Sequence, residues 1–323
     1  RRQPLGDARP FFVHGLFLRA ALRRLPSPPD VVHFHSPLVP PLRLPWPAVT
    51  TFHSLSWSDF AGPARGVRYR LRKLMARTLS YRLERRLLSR TDEIILVNAN
   101  ARRTLEEKYG CSREVHVLPN VVDVETFRPA SLPPGKPVIL YVGRLGFGKG
   151  LRELLLSARM VVSRHPGVVY RIVGGGPLER DLRAMAGDLG LGGRVAFEGD
   201  VKDRRAVLGH FRNAAIVLLP SYSEGCPMSL LEAMSCGKPI IATDAGFASH
   251  ILADGKNVLL VPPRDAPALA QATIRLLDSP DLRRELGDAA RETALSAFDA
   301  SAHTSRMERI YGLAVARRTA PRP

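Results

Sequence analysis

Short apolar runs recur along the chain, and amphipathic stretches with helical spacing separate them. A run that is apolar at nearly every position is typical of a parallel strand buried on both faces. In the first part of the chain these runs are VVHFH (31–35), AVTTFHS (48–54) and EIILVN (93–98), and HVLPNVVD (116–123) follows them. The alternation predicts an α/β fold of parallel strands joined by crossover helices.

The same alternation resumes after RPASLPPGKP (128–137), where four prolines in ten residues are typical of a linker. The strand-like runs beyond it are VILYVGR, VYRIVGGGP, RVAFEGDV, AAIVLLPS, PIIATDAG and NVLLVP. We predict two Rossmann-like, doubly wound parallel-sheet domains. The first covers residues 1–128, the linker 129–137, the second domain 138–302 and a helical tail 303–323.

The length of 323 residues and the hydrophobic content of 45% suit two domains with separate cores. The sequence does not begin with Met, and its first domain has fewer predicted strands than a complete doubly wound half. We therefore expect the first domain to be truncated by roughly 60 residues, two βαβ-type units of about 30 each. No apolar run is long enough to cross a bilayer.

The formal charge of +18 is concentrated in the first domain, because residues 1–136 carry 23 Lys and Arg against 11 Asp and Glu. Residues 64–90 alone hold ten basic residues and one acid, with Leu and Met at helical spacing. A basic amphipathic helix is typical of contact with an anionic bilayer surface or with nucleic acid, and an arginine-rich face in solvent is the alternative. We expect no nucleic-acid partner, because no aromatic interleaving accompanies the charge.

Cys111, Cys226 and Cys236 lack the spacing of metal ligands. They predict free, buried thiols and a cytoplasmic protein, with the basic helix available for peripheral contact with the inner face of the membrane.

The stretch YVGRLGFGKG (141–150) matches the frame of a phosphate-binding P-loop at Gly143, Gly148 and Lys149, between a predicted strand and a predicted helix. A P-loop has a Ser or Thr hydroxyl for magnesium at the next position, where this chain has Gly150. The stretch is either a damaged P-loop or a different way of holding a diphosphate.

The segment SEGCPMSLLEAMSCGKP (223–239) holds two carboxylates eight residues apart, Glu224 and Glu232. Pro227 stands where a helix can start and Gly237 where it can stop, so Glu224 should lie in the loop after a strand and Glu232 within the helix. Ligands of open α/β sheets bind at that edge, where carboxylates can accept hydrogen bonds from sugar and ribose hydroxyls. A capping Glu and a surface Glu are the alternative.

This segment resembles the E-G-x-P…E-A-M-x-x-G-x-P signature of family 4 glycosyltransferases, which have the GT-B fold. Other stretches agree in order and spacing: PDVVHFHSP, TFHS, LPNVVDVETFRP, YVGRLGFGKG, IVGGGP and FEGDV. The resemblance extends from about residue 29 to residue 298. It implies two Rossmann-like domains with a cleft between them.

The resemblance assigns Arg144 and Lys149 to the diphosphate of a nucleotide-sugar donor. Negative charge builds on that group when the glycosidic bond breaks, and a guanidinium and an ammonium can stabilise it without a metal. Glu224 would orient the donor sugar and Glu232 would bind the ribose. The donor-binding residues of this loop are completed by Gly225, Cys226, Pro227 and Met228.

Glycines and a glutamate elsewhere add weaker expectations. Gly143, Gly174 and Gly176 lie in strand-to-helix turns that the resemblance places near the nucleotide, although glycine is also favoured there for its backbone freedom alone. Glu198 lies in AFEGDV, which matches the stretch that faces the base.

The resemblance places His53, in TFHS, near the donor sugar and the acceptor, with a satisfied core histidine as the alternative. His33 and His35 lie on one face of a strand, which predicts acceptor contact or packing beside the site. No third ligand is in reach by sequence, so we expect no metal and no cofactor besides the nucleotide-sugar co-substrate.

The chain departs from the family pattern at Gly246, Phe247 and His250, where G-G-x-x-E is usual, and at Val258. The glycine-rich loop of the first strand is missing as well. The resemblance implies a retaining hexosyltransferase acting on a lipid-linked or glycan acceptor. A non-catalytic GT-B scaffold and a basic membrane- or nucleic-acid-binding module are the alternatives.

Overall fold

Parallel strands and helices alternate along the chain in two separate units, as the apolar runs predict. A computed structural model describes residues 24–36, 44–55, 67–131, 135–244 and 251–319. The first unit combines residues 1–119 with 301–323, and the second comprises residues 120–300. Each unit is built on one parallel sheet.

The described residues of the first unit form four parallel strands in the order β1-β2-β3-β4. The strands are β1 (Val32–Ser36), β2 (Ala48–Phe52), β3 (Glu93–Leu96) and β4 (His116–Val117). The helices are α1 (Val67–Leu88), α2 (Asn100–Tyr109) and α9 (Ala300–Thr319). Strands β2 and β3 are buried along their whole length, as their apolar sequences predict.

The helical tail belongs to the first unit. Ile310 and Ala314 of α9 pack on Val49 and Ile95 of the sheet. Arg318 forms an ion pair with Asp92 at 3.1 Å. The tail predicted for residues 303–323 is therefore part of the first unit's core, because its apolar face covers that sheet.

In the second unit, the part that the structure describes forms six parallel strands in the order β7-β6-β5-β8-β9-β10. The strands are β5 (Val138–Val142), β6 (Val169–Val173), β7 (Val195–Gly199), β8 (Ile216–Leu219), β9 (Ile240–Thr243) and β10 (Leu259–Val261). The chain order reverses direction across the sheet between β5 and β8. Ligands of doubly wound sheets bind at such a switch point, beyond the carboxyl ends of the strands.

Helices cover both faces of the second sheet. They are α3 (Leu151–Arg164), α4 (Glu179–Asp188), α5 (Arg204–Asn213), α6 (Met228–Ser235), α7 (Ala266–Asp278) and α8 (Pro280–Ala297). Several helices begin at polar side chains that accept a backbone N–H: Asp203 caps α5, Asp265 caps α7 and Ser279 caps α8. Gly237, with φ of +63°, follows the end of α6, as the sequence predicts.

The boundary between the units differs from the predicted one. The second unit begins at residue 120, whereas the sequence places the end of the first domain at 128 and a linker at 129–137. The Val122 N–H donates to the Phe298 carbonyl at 3.1 Å, and the Phe127 ring is completely buried. Residues 120–127 therefore pack with the second unit before the proline-rich stretch begins.

Candidate functional site

Backbone packs directly on backbone where β5 and β6 end. The Gly143 N–H donates to the Val173 carbonyl and the Leu145 N–H to the Gly175 carbonyl, each at 2.9 Å. A Cβ on Gly174, whose φ is +133°, would lie 2.0 Å from the Gly143 oxygen. Glycine is required at residue 174 because a side chain there would separate the two loops.

Gly150 is also fixed by geometry. Its φ is +63°, and a Cβ would lie 1.8 Å from the Pro220 carbonyl oxygen at the end of β8. A Ser or Thr therefore does not fit at this position. The lack of a P-loop hydroxyl follows from the close approach of the loops after β5 and β8, and Gly150 is not a degraded motif residue.

A cavity of about 550 Å³ opens beyond the carboxyl ends of β5, β6 and β7. Its wall consists of residues 142–144 and 173–176, with Asp200, Val201 and Val207. Gly143, Gly174 and Gly176, all predicted as donor-binding residues, lie in this wall. Their lack of side chains exposes the backbone, which lets phosphate or base groups approach closely.

Lys149 and Glu224 meet at the switch point. Lys149 Nζ lies 2.7 Å from Glu224 Oε1, with 25% and 17% of the two side chains exposed. The Tyr222 N–H donates to the Gly148 carbonyl at 2.7 Å, so the loops after β5 and β8 are held together at the backbone. The structure thus brings together two predicted site residues that are 75 positions apart.

Arg144 lies at the edge of the cavity with an exposed side chain. The buried Tyr141 hydroxyl donates to the Arg144 carbonyl at 3.2 Å. Burial raises the pKa of Tyr141, and the nearby Glu224 carboxylate adds to this effect. Within the described part of the chain no carboxylate forms an ion pair with Arg144, so its guanidinium is available to an anionic ligand.

The loop that enters α6 holds the predicted residues Gly225, Cys226, Pro227 and Met228. The Asn120 side chain donates to the Cys226 carbonyl at 2.8 Å and anchors this loop. Burial raises the pKa of the Cys226 thiol to about 12, so it is protonated at neutral pH. The Met228 side chain is 39% exposed at the first turn of α6.

Glu232 lies in the second turn of α6 with 12% of its side chain exposed. Burial raises its pKa to about 7, and the opposing influence comes from Arg204. Arg204 Nη2 lies 3.8 Å from Glu232 Oε1. Arg204 was not identified from the sequence, because 28 residues separate it from Glu232 and no motif joins them.

Glu198, predicted to face the base, lies outside the wall of this cavity. Glu198 is exposed and lies 3.8 Å from Arg171, and it is not part of the cavity wall. The backbone turns at Gly199, where φ is +74°, and Asp200 enters the wall instead. The cavity wall therefore takes Asp200 and Val201 from this stretch, and the role of Glu198 stays a prediction.

Three predicted histidines cluster in the first unit, His33 and His35 within β1 and His53 directly after β2. His35 Nδ1 lies 3.0 Å from His53 Nε2, and the His33 and His35 rings stack with centroids 4.4 Å apart. His33 bonds to Thr51 at 2.8 Å and to Tyr311 of α9 at 2.9 Å.

Burial and the neighbouring histidines lower the pKa of His33 to about 4. Burial, followed by His35, lowers the pKa of His53. Both rings are therefore neutral at pH 7. Over the described ranges, no group of three His, Cys, Asp or Glu side chains is placed to hold a metal ion.

Helix α1 covers most of the basic segment 64–90. In its described C-terminal half Arg82, Arg85 and Arg86 are exposed and Leu87 is buried. Glu84, the only acid of the segment, is buried and accepts a hydrogen bond from Tyr109. None of the helices in the described ranges is both long and apolar enough to span a membrane. Gly246, Phe247 and His250 lie outside the described residues.

Two protein families match the chain. Residues 123–293 match Glycosyl transferases group 1, and residues 2–126 match Glycosyltransferase Family 4. The matches meet close to the start of the second unit.

Curated relatives and a solved structure agree with these matches. D-inositol 3-phosphate glycosyltransferase of Nocardia farcinica is 31% identical over 89% of this chain and 67% of its own length. Phosphatidyl-myo-inositol mannosyltransferase of Mycolicibacterium smegmatis is 32% identical over 87% of this chain and 70% of its own. The chain thus spans about two thirds of the length of these relatives.

HepE of Anabaena, solved in complex with UDP and glucose, superimposes with a TM-score of 0.70 at 19% identity, covering 83% of this chain and 72% of HepE. This likeness supports the GT-B fold.

Proposed function

Because the chain belongs to the group 1 glycosyl transferases, we propose that it is a retaining hexosyltransferase that uses a nucleotide-diphosphate sugar. The observation that carries the proposal is the Lys149–Glu224 pair, 2.7 Å apart at the switch point of a sheet whose cavity is lined by Arg144 and several glycines. A paired cation and carboxylate, with a further cation in the cavity wall, suit a ligand with an anionic part and hydroxyl groups.

In the proposed reaction the bond between the sugar C1 and the β-phosphate oxygen breaks, and its electron pair stays on the diphosphate. The acceptor hydroxyl oxygen forms the new bond to C1 and loses its proton, with the anomeric configuration retained. Arg144 and Lys149 stabilise the charge that develops on the diphosphate. No metal is needed for this, because a guanidinium and an ammonium supply the positive charge.

The carboxylates have different proposed roles. Glu224 accepts hydrogen bonds from sugar hydroxyls and orients the ring, while Glu232 binds the ribose hydroxyls. In the first unit, we assign His53 to the reaction centre, and His33 and His35 to the acceptor side. The neutral state of His53 at pH 7 suits an imidazole that exchanges a proton or hydrogen bond with a hydroxyl.

The acceptor is proposed to be lipid-linked or a glycan. Two relatives are named for inositol phosphate and phosphatidylinositol acceptors. The exposed arginines of α1 suit contact with an anionic membrane surface, which would place the enzyme on the inner face of the membrane in the cytoplasm. Binding to vesicles with anionic headgroups that weakens with salt supports this; equal binding to neutral vesicles contradicts it.

The experiment that tests the function is calorimetric titration of the 323-residue chain with UDP, GDP, ADP and their hexose conjugates, with and without chelator. We expect one nucleoside diphosphate to bind best and chelator to leave its affinity unchanged. Loss of binding in the presence of chelator contradicts the proposal that Arg144 and Lys149 hold the diphosphate without a metal. Binding without any transfer or hydrolysis of the sugar conjugate supports the non-catalytic scaffold instead.

A further inference from the structure

The carboxylate of Glu232 is in an unfavourable environment for a charged group. Its side chain is 12% exposed, between the buried residues Leu231 and Ala233 of α6. Burial raises its pKa to about 7, so a large fraction of it would be protonated at neutral pH. An ionised carboxylate can accept hydrogen bonds from two ribose hydroxyls, and these charge-assisted bonds are stronger than those of the protonated acid.

Arg204 provides the opposing charge. It is the first residue of α5, directly after the capping residue Asp203, and its Nη2 lies 3.8 Å from Glu232 Oε1. Its guanidinium lies over the Phe127 ring, 5.3 Å from the centroid. Phe127 is completely buried and packs edge-on against Phe211, so the Arg204 side chain, itself 68% exposed, lies over a buried aromatic pair.

The other charged groups in this region have different partners. The Arg291 guanidinium donates to the carbonyls of Phe127 and Ser235, and the Lys238 ammonium donates to the Arg212 carbonyl. Burial raises the pKa of the Cys236 thiol to about 11, so it is neutral at pH 7.

Asp123 is a second carboxyl that is influenced by Arg204. The pKa of this exposed carboxyl is lowered chiefly by Thr126 and to a smaller extent by Arg204. Across the described residues, Arg204 is the cation within ion-pair distance of Glu232.

The position of α5 relates this contact to the cavity. Val207, three residues after Arg204 and near it on the same helical face, lies in the cavity wall. The first turn of α5 thus joins the cavity wall to the Glu232 carboxylate.

We propose that Arg204 is a positioning residue that favours the ionised form of Glu232 and orients it for the ribose of the donor. The inference rests on the proposed function, in which Glu232 binds ribose. Arg204 acts through Glu232 and needs no contact with the nucleotide. It determines the pH range over which the carboxylate can bind a nucleoside diphosphate.

The test is the pH dependence of nucleotide affinity. Calorimetric titrations of the 323-residue chain with UDP, GDP and ADP are run between pH 5.5 and 9, as about eight points, for the parent, Arg204→Gln, Arg204→Lys and Arg205→Gln. Removing an opposite charge at this distance moves a carboxyl pKa upward by about 1 unit. Arg204→Gln should therefore bind about 5-fold more weakly than the parent at pH 7 and recover at pH 9.

The two other variants separate a charge effect from a loss of structure. Arg205 is the next residue of α5, is exposed and has no ion pair in the described ranges, so Arg205→Gln should follow the parent curve. Arg204→Lys restores the charge and should move the curve back toward that of the parent. Equal losses at every pH in Arg204→Gln would show a structural role and overturn the inference.

A second measurement does not depend on nucleotide binding. The side-chain carboxyl of Glu232 is titrated by NMR in protein labelled with ¹³C at the glutamate Cδ, and the signal is assigned by its loss in Glu232→Gln. A higher midpoint in Arg204→Gln than in the parent supports the inference, and an unchanged midpoint overturns it. If the parent binds no diphosphate, the proposed function fails, while this titration still decides the role of Arg204.

Discussion

The two units share one architecture, a parallel sheet covered by helices. They differ in the side chains near the sheet, which are charged in the second unit and are imidazoles in the first. The second unit holds a charged pair, Lys149 and Glu224, beside the exposed guanidinium of Arg144. The first unit holds stacked imidazoles, and burial lowers the pKa of His33 and of His53.

The difference shows that the fold supplies only the position. Glycines after β5 and β6 expose backbone in a cavity that the Arg144 side chain also lines. His33 and His35 of β1 and His53 after β2 supply imidazole nitrogens to the first unit. Each edge takes its chemistry from a few side chains, so changes to those side chains should affect one unit and spare the other.

The largest expected effect is on stability and compares Gly150 with Gly110. Both have φ of +63°, but a Cβ at residue 110 would meet nothing within 4 Å, whereas one at residue 150 would overlap the Pro220 oxygen. Gly110→Ala should cost about 1–2 kcal/mol from backbone strain alone. Gly150→Ala should cost about 2–5 kcal/mol, because overpacking adds to the strain. Denaturant unfolding measures both, and equal losses would contradict the assigned clash.

The next effect is on turnover. Lys149→Ala should lower the rate of sugar transfer by about 10²–10³-fold, the usual scale for removing one donor aimed at developing negative charge. The matched control is Arg152→Ala. Arg152 is an exposed cation in the first turn of α3, three residues after Lys149, and its loss should leave the rate of sugar transfer normal. The rates are measured with whichever sugar conjugate binds in calorimetry. Normal turnover in Lys149→Ala would contradict the proposal that Lys149 stabilises the departing diphosphate.

A smaller effect is expected for donor affinity at Glu232. Glu232→Ala should weaken nucleotide binding by about 10- to 150-fold at pH 8, equivalent to the 1.5–3 kcal/mol of a charge-assisted hydrogen bond. Stability should change little, because the lost group is a buried carboxylate whose ionisation is unfavourable. Parent-like affinity would show that this carboxylate does not bind the nucleotide.

The smallest effect is on the pH dependence of stability, and its sign should differ between the units. The pKa of His33 is about 4 in the folded protein against an ordinary 6.5, so the unfolded state binds more protons between these values and stability falls as pH drops through them. The pKa of Glu232 is about 7 against 4.5, so the folded state binds more protons and stability falls as pH rises through that range.

Thermal melts of His33→Gln and Glu232→Gln between about pH 4 and about pH 8 check the sign of each change in stability with pH. His33→Gln should flatten the acid side of the curve, and Glu232→Gln should flatten the neutral side. An unchanged acid side in His33→Gln would mean that the imidazole does not control it.

The strands were predictable because buried parallel strands are nearly continuous apolar runs. β5 and β8 lie within the runs VILYVGR and AAIVLLPS, and Glu224 lies in the loop after β8, as expected. That Asp200 and not Glu198 lies in the cavity wall was not predictable, because it follows from a local turn at Gly199. The ion pair between Arg204 and Glu232 could not be predicted from the sequence either, because it depends on how α5 and α6 pack.

The boundary of the first unit also depends on packing that the sequence does not reveal. The sequence marks residues 129–137 as a linker by their prolines, but composition does not reveal that residues 120–127 pack with the second unit. Likewise, the helical pattern predicts α9 but does not show that its apolar face covers the first sheet. Long-range packing determines both outcomes.

The contact of Tyr311 with His33 has a consequence for the order of folding during synthesis. The two residues are 278 positions apart, and the whole second unit lies between them in the sequence. At translation rates of about 5–20 residues per second, roughly 14–56 s pass between the two residues leaving the ribosome. The second unit, continuous in sequence, can fold in that interval. We expect the first unit to complete its core last, with its sheet awaiting α9 while its neighbour is already formed.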